Sequence, residues 1–173
     1  MKINYNESNS FNTTPLYNGN IASTAWIAKV GDTLQLPVKS YAYQYDNANR
    51  LQQANYTERF LSGHHTYSTP HQTGNFDLNN LTYDANGNIK TLQRLWWGIP
   101  MDQFSYNYQQ NSNKLLRVND SIVYTFAGMD FVNKPDASAF YEYDSNGKLS
   151  SDNGVSRYTT ITYYSTGMPK KVV

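Results

Sequence analysis

The residues able to do chemistry fall into three groups. His64, His65 and His71 lie within eight positions of one another, and neutral imidazoles are ligands for zinc, copper or nickel. Their arrangement argues against a metal centre. Adjacent side chains on an extended chain point apart, the chain contains no cysteine, and carboxylates are scarce around the three histidines. The segment from Ser62 to Gly74, rich in His, Ser, Thr and Gly, reads as a solvated loop, and neither a metal nor another cofactor is expected.

The carboxylates are ten Asp and only three Glu. Two carboxyl groups held about 5 to 10 Å apart could hydrolyse a glycosidic bond. Asp46, Asp84 and Asp144, however, each stand directly after a Tyr in one recurring pattern. That recurrence is explained by turn formation, in which the carboxylate accepts backbone N–H groups just ahead of it. The chain shows no Ser-His-Asp order, no nucleophile elbow and no phosphate loop with its lysine. No catalytic residue is assigned, and the chain is expected not to be an enzyme.

The aromatic residues are 16 Tyr, 7 Phe and 3 Trp, and exposed rings on a sheet can serve as platforms for sugars. Trp96 and Trp97 are the candidates for glycan contact. Since neighbours on a strand face opposite ways, at least one of the two indoles is expected to pack inside.

The elements that must carry these groups are visible as a repeat. An apolar or aromatic residue, a polar residue, Tyr, Asp, a few turn formers and then Leu or Ile recur at Tyr43 to Leu51, Leu81 to Ile89 and Tyr141 to Leu149. A copy one residue longer runs from Tyr106 to Leu115, and a last one from Ile161 to Pro169. The alternation places the repeat tyrosines Tyr45, Tyr83, Tyr108, Tyr143 and Tyr163 on the inward face of a strand. Asp46, Asp84 and Asp144 start the reversal, while Gly87, Gly147 and Gly167 supply the left-handed backbone it needs. Each copy is one expected β-hairpin. Successive repeat tyrosines are 38, 25, 35 and 20 residues apart, too irregular for a strict solenoid.

Composition agrees with this reading. Asn, Ser, Thr and Tyr dominate over Ala and Glu, which favours strands and turns over helices, so the fold class expected is all-β: consecutive antiparallel hairpins in a curved, twisted sheet with little or no helix. At 173 residues the chain can bury a core, and the absence of cysteine excludes a disulfide-held mini-protein. A net charge of +1 without charge blocks gives no reason to expect a nucleic-acid partner. Apolar runs such as Leu95-Trp96-Trp97 are far shorter than the roughly 20 residues of a membrane span. Met1 to Asn6 lacks the pattern of a signal peptide. Two regions are expected: a polar segment 1–15, frayed or forming an edge strand, and one hairpin module over 16–173. The segment Asn133 to Ser138 is read as another exposed loop.

The Tyr-Asp-x-x-Gly-x-Leu units, together with Tyr17-Asn18-Gly19-Asn20-Ile21-Ala22 followed by Trp26, resemble the YD-repeat proteins of the rearrangement hotspot (Rhs) type, including bacterial wall-associated versions. The resemblance covers roughly Leu16 to Val173. It implies a β-sheet ribbon that spirals into a hollow shell, in bacteria commonly enclosing a toxic C-terminal domain and in the animal teneurins forming part of an adhesion receptor. It further implies that the chain is a piece of a larger repeat protein, that its partners are the rest of that shell and an enclosed toxin domain, and that it is extracellular or at the cell surface through its parent. The Pro-, Asp- and Gly-rich segment that the family places downstream of the repeats, and associates with self-cleavage by an aspartate pair, has no counterpart after Met168-Pro169-Lys170-Lys171. Autoproteolysis is therefore not carried over. A sheet section of this kind is expected either to associate with itself through its edge strands or to cover its edges by folding Met1 to Pro15 back as a strand, and a glycan is the alternative partner.

Overall fold

A computed structural model of the chain describes residues 1–7, 13–30, 34–35, 37–59, 71–72, 74–122, 141–152 and 159–173. His64, His65 and the segment Asn133 to Ser138 lie outside the described residues. Among those described there is no helix. The strands in chain order are β1 (Lys2–Asn4), β2 (Ser23–Trp26), β3 (Lys29–Val30), β4 (Leu34–Gln35), β5 (Val38–Tyr45), β6 (Leu51–Arg59), β7 (His71–Gln72) and β8 (Leu78–Tyr83). They continue as β9 (Ile89–Trp96), β10 (Ile99–Tyr108), β11 (Leu115–Asp120), β12 (Tyr141–Tyr143), β13 (Leu149–Asp152), β14 (Thr159–Tyr163) and β15 (Pro169–Val172).

The protein is all-β and built of consecutive hairpins. One sheet has the order β1-β2-β5-β6-β8-β9-β10-β11 with β7 also pairing on β6, a second has the order β12-β13-β14-β15, and β3 pairs with β4. Neighbours in the order are nearly always successive in the chain, and the pairs β5·β6, β10·β11, β12·β13 and β14·β15 are antiparallel. Short turns leave each strand no other nearby partner, so sequence order becomes spatial order. The polar N-terminal segment contributes an outer strand, with Lys2, Ile3 and Asn4 opposite Ala25, Thr24 and Ser23. The expected loop from Ser62 to Gly74 is corrected at its far end. His71 and Gln72 form β7 opposite Glu58 and Thr57, because the end of β6 has backbone groups that β8 does not reach.

The described residues gather into two compact units, Met1–Leu81 with Gln93–Pro100, and Thr82–Leu92 with Met101–Val173. In the first, Ala22, Ala54, Tyr56 and Leu81 are buried, as are Ser23, Ser40 and Thr57. These three hydroxyls are paired: Ser40 Oγ and Thr57 Oγ1 lie 2.7 Å apart, and Asn4 Nδ2 donates to Ser23 Oγ at 2.9 Å. Cross-strand hydrogen bonds of this kind let small polar side chains share a sheet face with aromatic ones. In the second unit Phe104 and Asp102 are buried.

One corner of the first unit is held by a close backbone approach. Gly98 N–H donates to Gly74 O at 3.0 Å, and a Cβ built on Gly74 would stand 2.8 Å from Gly98 Cα. Gly19 also has a positive φ but meets nothing within 4 Å of its Cβ position. Gly74→Ala and Gly19→Ala therefore share the left-handed strain, and only the first adds a backbone clash. Gly74→Ala is expected to lose at least about 1 kcal/mol more in a urea titration than Gly19→Ala; equal losses would show that the two loops have room to part.

Candidate interaction site: repeated turns and the aromatic corner

Asp46, Asp84 and Asp144 make the same turn. In the third, Asp144 Oδ1 accepts Asn146 N–H at 2.9 Å and Lys148 N–H at 2.8 Å, while the main chain closes the loop through Asp144 N to Lys148 O and Gly147 N to Asp144 O. Asp84 does the same with Asn86 and Asn88, and Asp46 with Ala48 and Arg50. The residue before the last N–H donor is left-handed each time: Asn49, Gly87 and Gly147 have φ of 61°, 87° and 79°. A turn followed by one left-handed residue creates a bulge, and the register shifts at the tyrosine itself in four hairpins, at Tyr45, Tyr108, Tyr143 and Tyr163. The last turn has Tyr164 in the Asp slot, yet Tyr164 N still donates to Met168 O and Gly167 N to Tyr164 O, both at 2.9 Å. The aspartate therefore strengthens a loop whose path the backbone already sets.

The bulge aims each tyrosine at the hairpin before it. Tyr45 hydroxyl donates to Ile21 O at 2.9 Å, Tyr108 to Ile89 O at 2.9 Å, Tyr143 to Leu115 O at 2.8 Å and Tyr163 to Leu149 O at 2.8 Å. Ile89, Leu115 and Leu149 open the preceding returning strand, and Ile21 lies two residues ahead of β2. Tyr83 occupies the same slot before Asp84.

The turn tips touch as well. Asn18 and Asn20 both donate their Nδ2 to Asn49 Oδ1, at 2.8 and 3.0 Å, and Asn86 and Asn88 donate to Asn113 Oδ1 at 3.2 and 2.9 Å. Further along, Lys114 and Lys148 lie over the rings of Tyr143 and Tyr163, 5.5 and 5.1 Å from their centroids, as cation–π contacts. These partners were missed in the sequence. The available signal was the polar or basic residue just before each Leu or Ile: Asn20, Asn88, Lys114 and Lys148 all use that slot to reach the next hairpin.

The two candidate indoles part at the end of β9, where Trp96 is the last strand residue and Trp97 lies in the turn. Trp96 packs edge-on against Phe76, with centroids 5.1 Å apart, at the end of an aromatic row that continues through Tyr56 and Tyr41 to Trp26. Trp97 is 69 % exposed. It forms a two-residue reversal with Gly98 in which both have positive φ, 52° and 73°, a conformation that favours Asn or Gly and costs a bulky residue about 1 to 2 kcal/mol. Asn75 Oδ1 holds it there by accepting Trp97 N–H at 2.6 Å. Phe76, also left-handed at φ 58°, is fixed by its N–H to Leu95 O and by Tyr41 hydroxyl to its own carbonyl. Asp77 completes the corner: buried, it accepts Tyr56 N–H at 2.6 Å in place of a strand partner. No Tyr precedes Asp77, so the repeat pattern could not find it.

Electrostatics separates these carboxylates. The Arg50 backbone N–H holds the Asp46 carboxyl below its usual range, assisted by the Arg50 guanidinium and Ala48 N–H. The Asn88 side-chain amide does so for Asp84, with backbone N–H groups adding to it. Burial pushes Asp77 up against the lowering effect of Tyr56 N–H. Burial first, and the Glu58 carboxylate that accepts its hydroxyl second, raise the Tyr56 phenol. Among the described residues no cluster of His, Asp or Glu could hold a metal.

Asp144→Ala is expected to cost about 1 kcal/mol through its lost acceptor, and Gly147→Val about 1 to 3 kcal/mol through strain at positive φ. Negligible and equal losses in denaturant would count against the hairpin at Tyr141 to Leu149. Tyr143→Phe should cost about 1 kcal/mol, while Tyr17→Phe, 82 % exposed, should change nothing measurable.

The pH dependence has two opposing parts. Asp46 and Asp84 have depressed folded values, so their stabilisation is present above the unfolded carboxylate range and is lost as pH falls through the folded values. Asp77 is raised, so its ionised form costs stability near neutrality, and that cost disappears as pH falls through its folded value. Asp77→Asn keeps the acceptor oxygen and should therefore compare more favourably with the parent chain near pH 7 than at about pH 4. Melting curves at the two pH values check this, and an offset independent of pH would contradict the burial of a charged Asp77.

No family model matches the chain, and no curated protein matches it.

Proposed function

We propose that the chain is a non-enzymatic structural module, a section of a YD-repeat β-shell or extracellular stalk of the kind that encloses a toxin or mediates surface contact. The observation that carries this reading is the tyrosine-to-carbonyl bond recurring in one slot of four hairpins. The aspartates singled out by their spacing serve their own turns and the tyrosines serve the next hairpin, which is the behaviour of repeated scaffold units. In this reading the partners are the remaining repeats of a parent protein and an enclosed C-terminal toxin domain, and the parent places the module at or outside the cell surface. Sequencing the gene on both sides of the region encoding Met1 to Val173 tests it. Further Tyr-Asp units with a variable terminal domain are the expected result, and flanks without any such unit would overturn it.

A second reading, glycan binding, is favoured by one observation: Trp97 is held outward in a strained reversal, 69 % exposed. A glycan array separates the two readings. Binding that Trp97→Ala abolishes while the fold is retained would establish the second.

The scaffold reading also carries an expectation for the isolated chain. β15, the outer strand of its sheet, is exposed at all four residues, and unpaired strand edges recruit other strands. Pro169, Lys170 and Lys171 blunt that edge, so association is expected to be weak. Light scattering over a concentration series should show a mass rising with concentration, and a strictly monomeric chain would refute association through this edge.

A further inference from the structure

Three Asn-Gly pairs stand at exposed turn tips, Asn18-Gly19, Asn86-Gly87 and Asn146-Gly147. A fourth, Asn153-Gly154, lies outside the described residues. Asn-Gly is the dipeptide in which a backbone nitrogen most readily attacks the preceding side-chain amide, because glycine puts no side chain in the way. The attacking N–H must give up its proton, and an N–H already held by a carbonyl does so less easily. All three asparagines are exposed, so access of water does not distinguish them.

The turns do. Gly87 N–H donates to Asp84 O at 3.1 Å and Gly147 N–H to Asp144 O at 2.9 Å, so in the Tyr-Asp turns the nucleophile is engaged. The Asn18-Gly19 turn is shorter and lacks the Asp, and Gly19 N–H meets no acceptor among the described residues. Its target carbonyl is also polarised: Asn20 N–H donates to Asn18 Oδ1 at 3.1 Å, where the negative charge of the tetrahedral intermediate develops, and a donor so placed stabilises that charge.

We infer that Asn18 is a site of spontaneous deamidation from which the Tyr-Asp turns protect Asn86 and Asn146. A bond forms between Gly19 N and Asn18 Cγ while the Cγ–Nδ2 bond breaks. Gly19 loses its proton and Nδ2 leaves as ammonia, giving a cyclic imide. Water then opens the imide at either carbonyl, leaving aspartate or isoaspartate at position 18, with no change of oxidation state. The product carboxylate can no longer donate to Asn49 Oδ1, so one of the two amide contacts joining the first turn tip to the second is replaced by repulsion between oxygens. The inference stands apart from the proposed scaffold role.

The test is a time course of the intact chain at mildly alkaline pH, with peptide mapping by mass spectrometry to separate Asn, Asp and isoaspartate at each position. Position 18 is expected to convert about fivefold or more faster than positions 86 and 146, the factor corresponding to one net hydrogen bond. In concentrated urea the three rates should converge, because the protection belongs to the folded turns. Equal rates in the folded chain, or faster conversion at 86 or 146, would overturn the inference. So would a ranking that persists unchanged in urea.

Discussion

The hydrogen bond from a tyrosine hydroxyl to the carbonyl of the preceding hairpin is the contact on which the repeated architecture depends. It requires a hairpin whose strands are out of register by one residue, so that the ring leans across the neighbouring returning strand. The left-handed residue of each turn creates that offset. Asn49, Gly87, Asn111, Gly147 and Gly167 all have positive φ, in loops that differ in length and in whether an Asp is present. What is kept across the repeats is the displacement of the tyrosine, and the sequence of each turn is one way to obtain it.

This dependence explains why the aromatic content is high while the apolar core is small. Burying an aromatic ring removes much apolar area from water, and the tyrosine hydroxyl then gives that ring a fixed direction. Leu and Ile have a different duty at their recurring slot, where the main-chain carbonyl matters as an acceptor alongside the side chain. The same economy appears in the aromatic corner. There Asn75 and Asp77 offer side-chain oxygens to Trp97 and Tyr56 N–H groups, so an irregular segment is held without a full strand pairing.

The hairpins were legible in the sequence because their signal is local: alternation, a turn former and a left-handed residue fall within nine positions, as from Tyr141 to Leu149. The turn role of Asp144 follows from the same window. The destination of the tyrosine hydroxyl was not legible, since Tyr143 and Leu115 are 28 positions apart and nothing in either segment names the other. For the same reason Asn49 as acceptor for Asn18 and Asn20, and Lys114 as a lid on Tyr143, emerged only from the structure. The corner around Gly74 and Gly98 was hidden more deeply, because Trp97 and Phe76 adopt conformations that their residue types disfavour, and local preference there points away from the observed backbone.

The hydroxyl contacts also set how the second unit would respond to mechanical load. Each one joins a hairpin only to its predecessor: Tyr108 to Ile89, Tyr143 to Leu115, Tyr163 to Leu149. Tension applied at Val173 meets first the join between β14 and the hairpin before it, which is made by the β13·β14 pairing, the hydroxyl contact of Tyr163 and Lys148 over its ring. Rupture then advances one hairpin at a time from the pulled end, and the extension released at each step is set by the length of chain between neighbouring tyrosines, which the irregular spacing of the repeats makes different for every step.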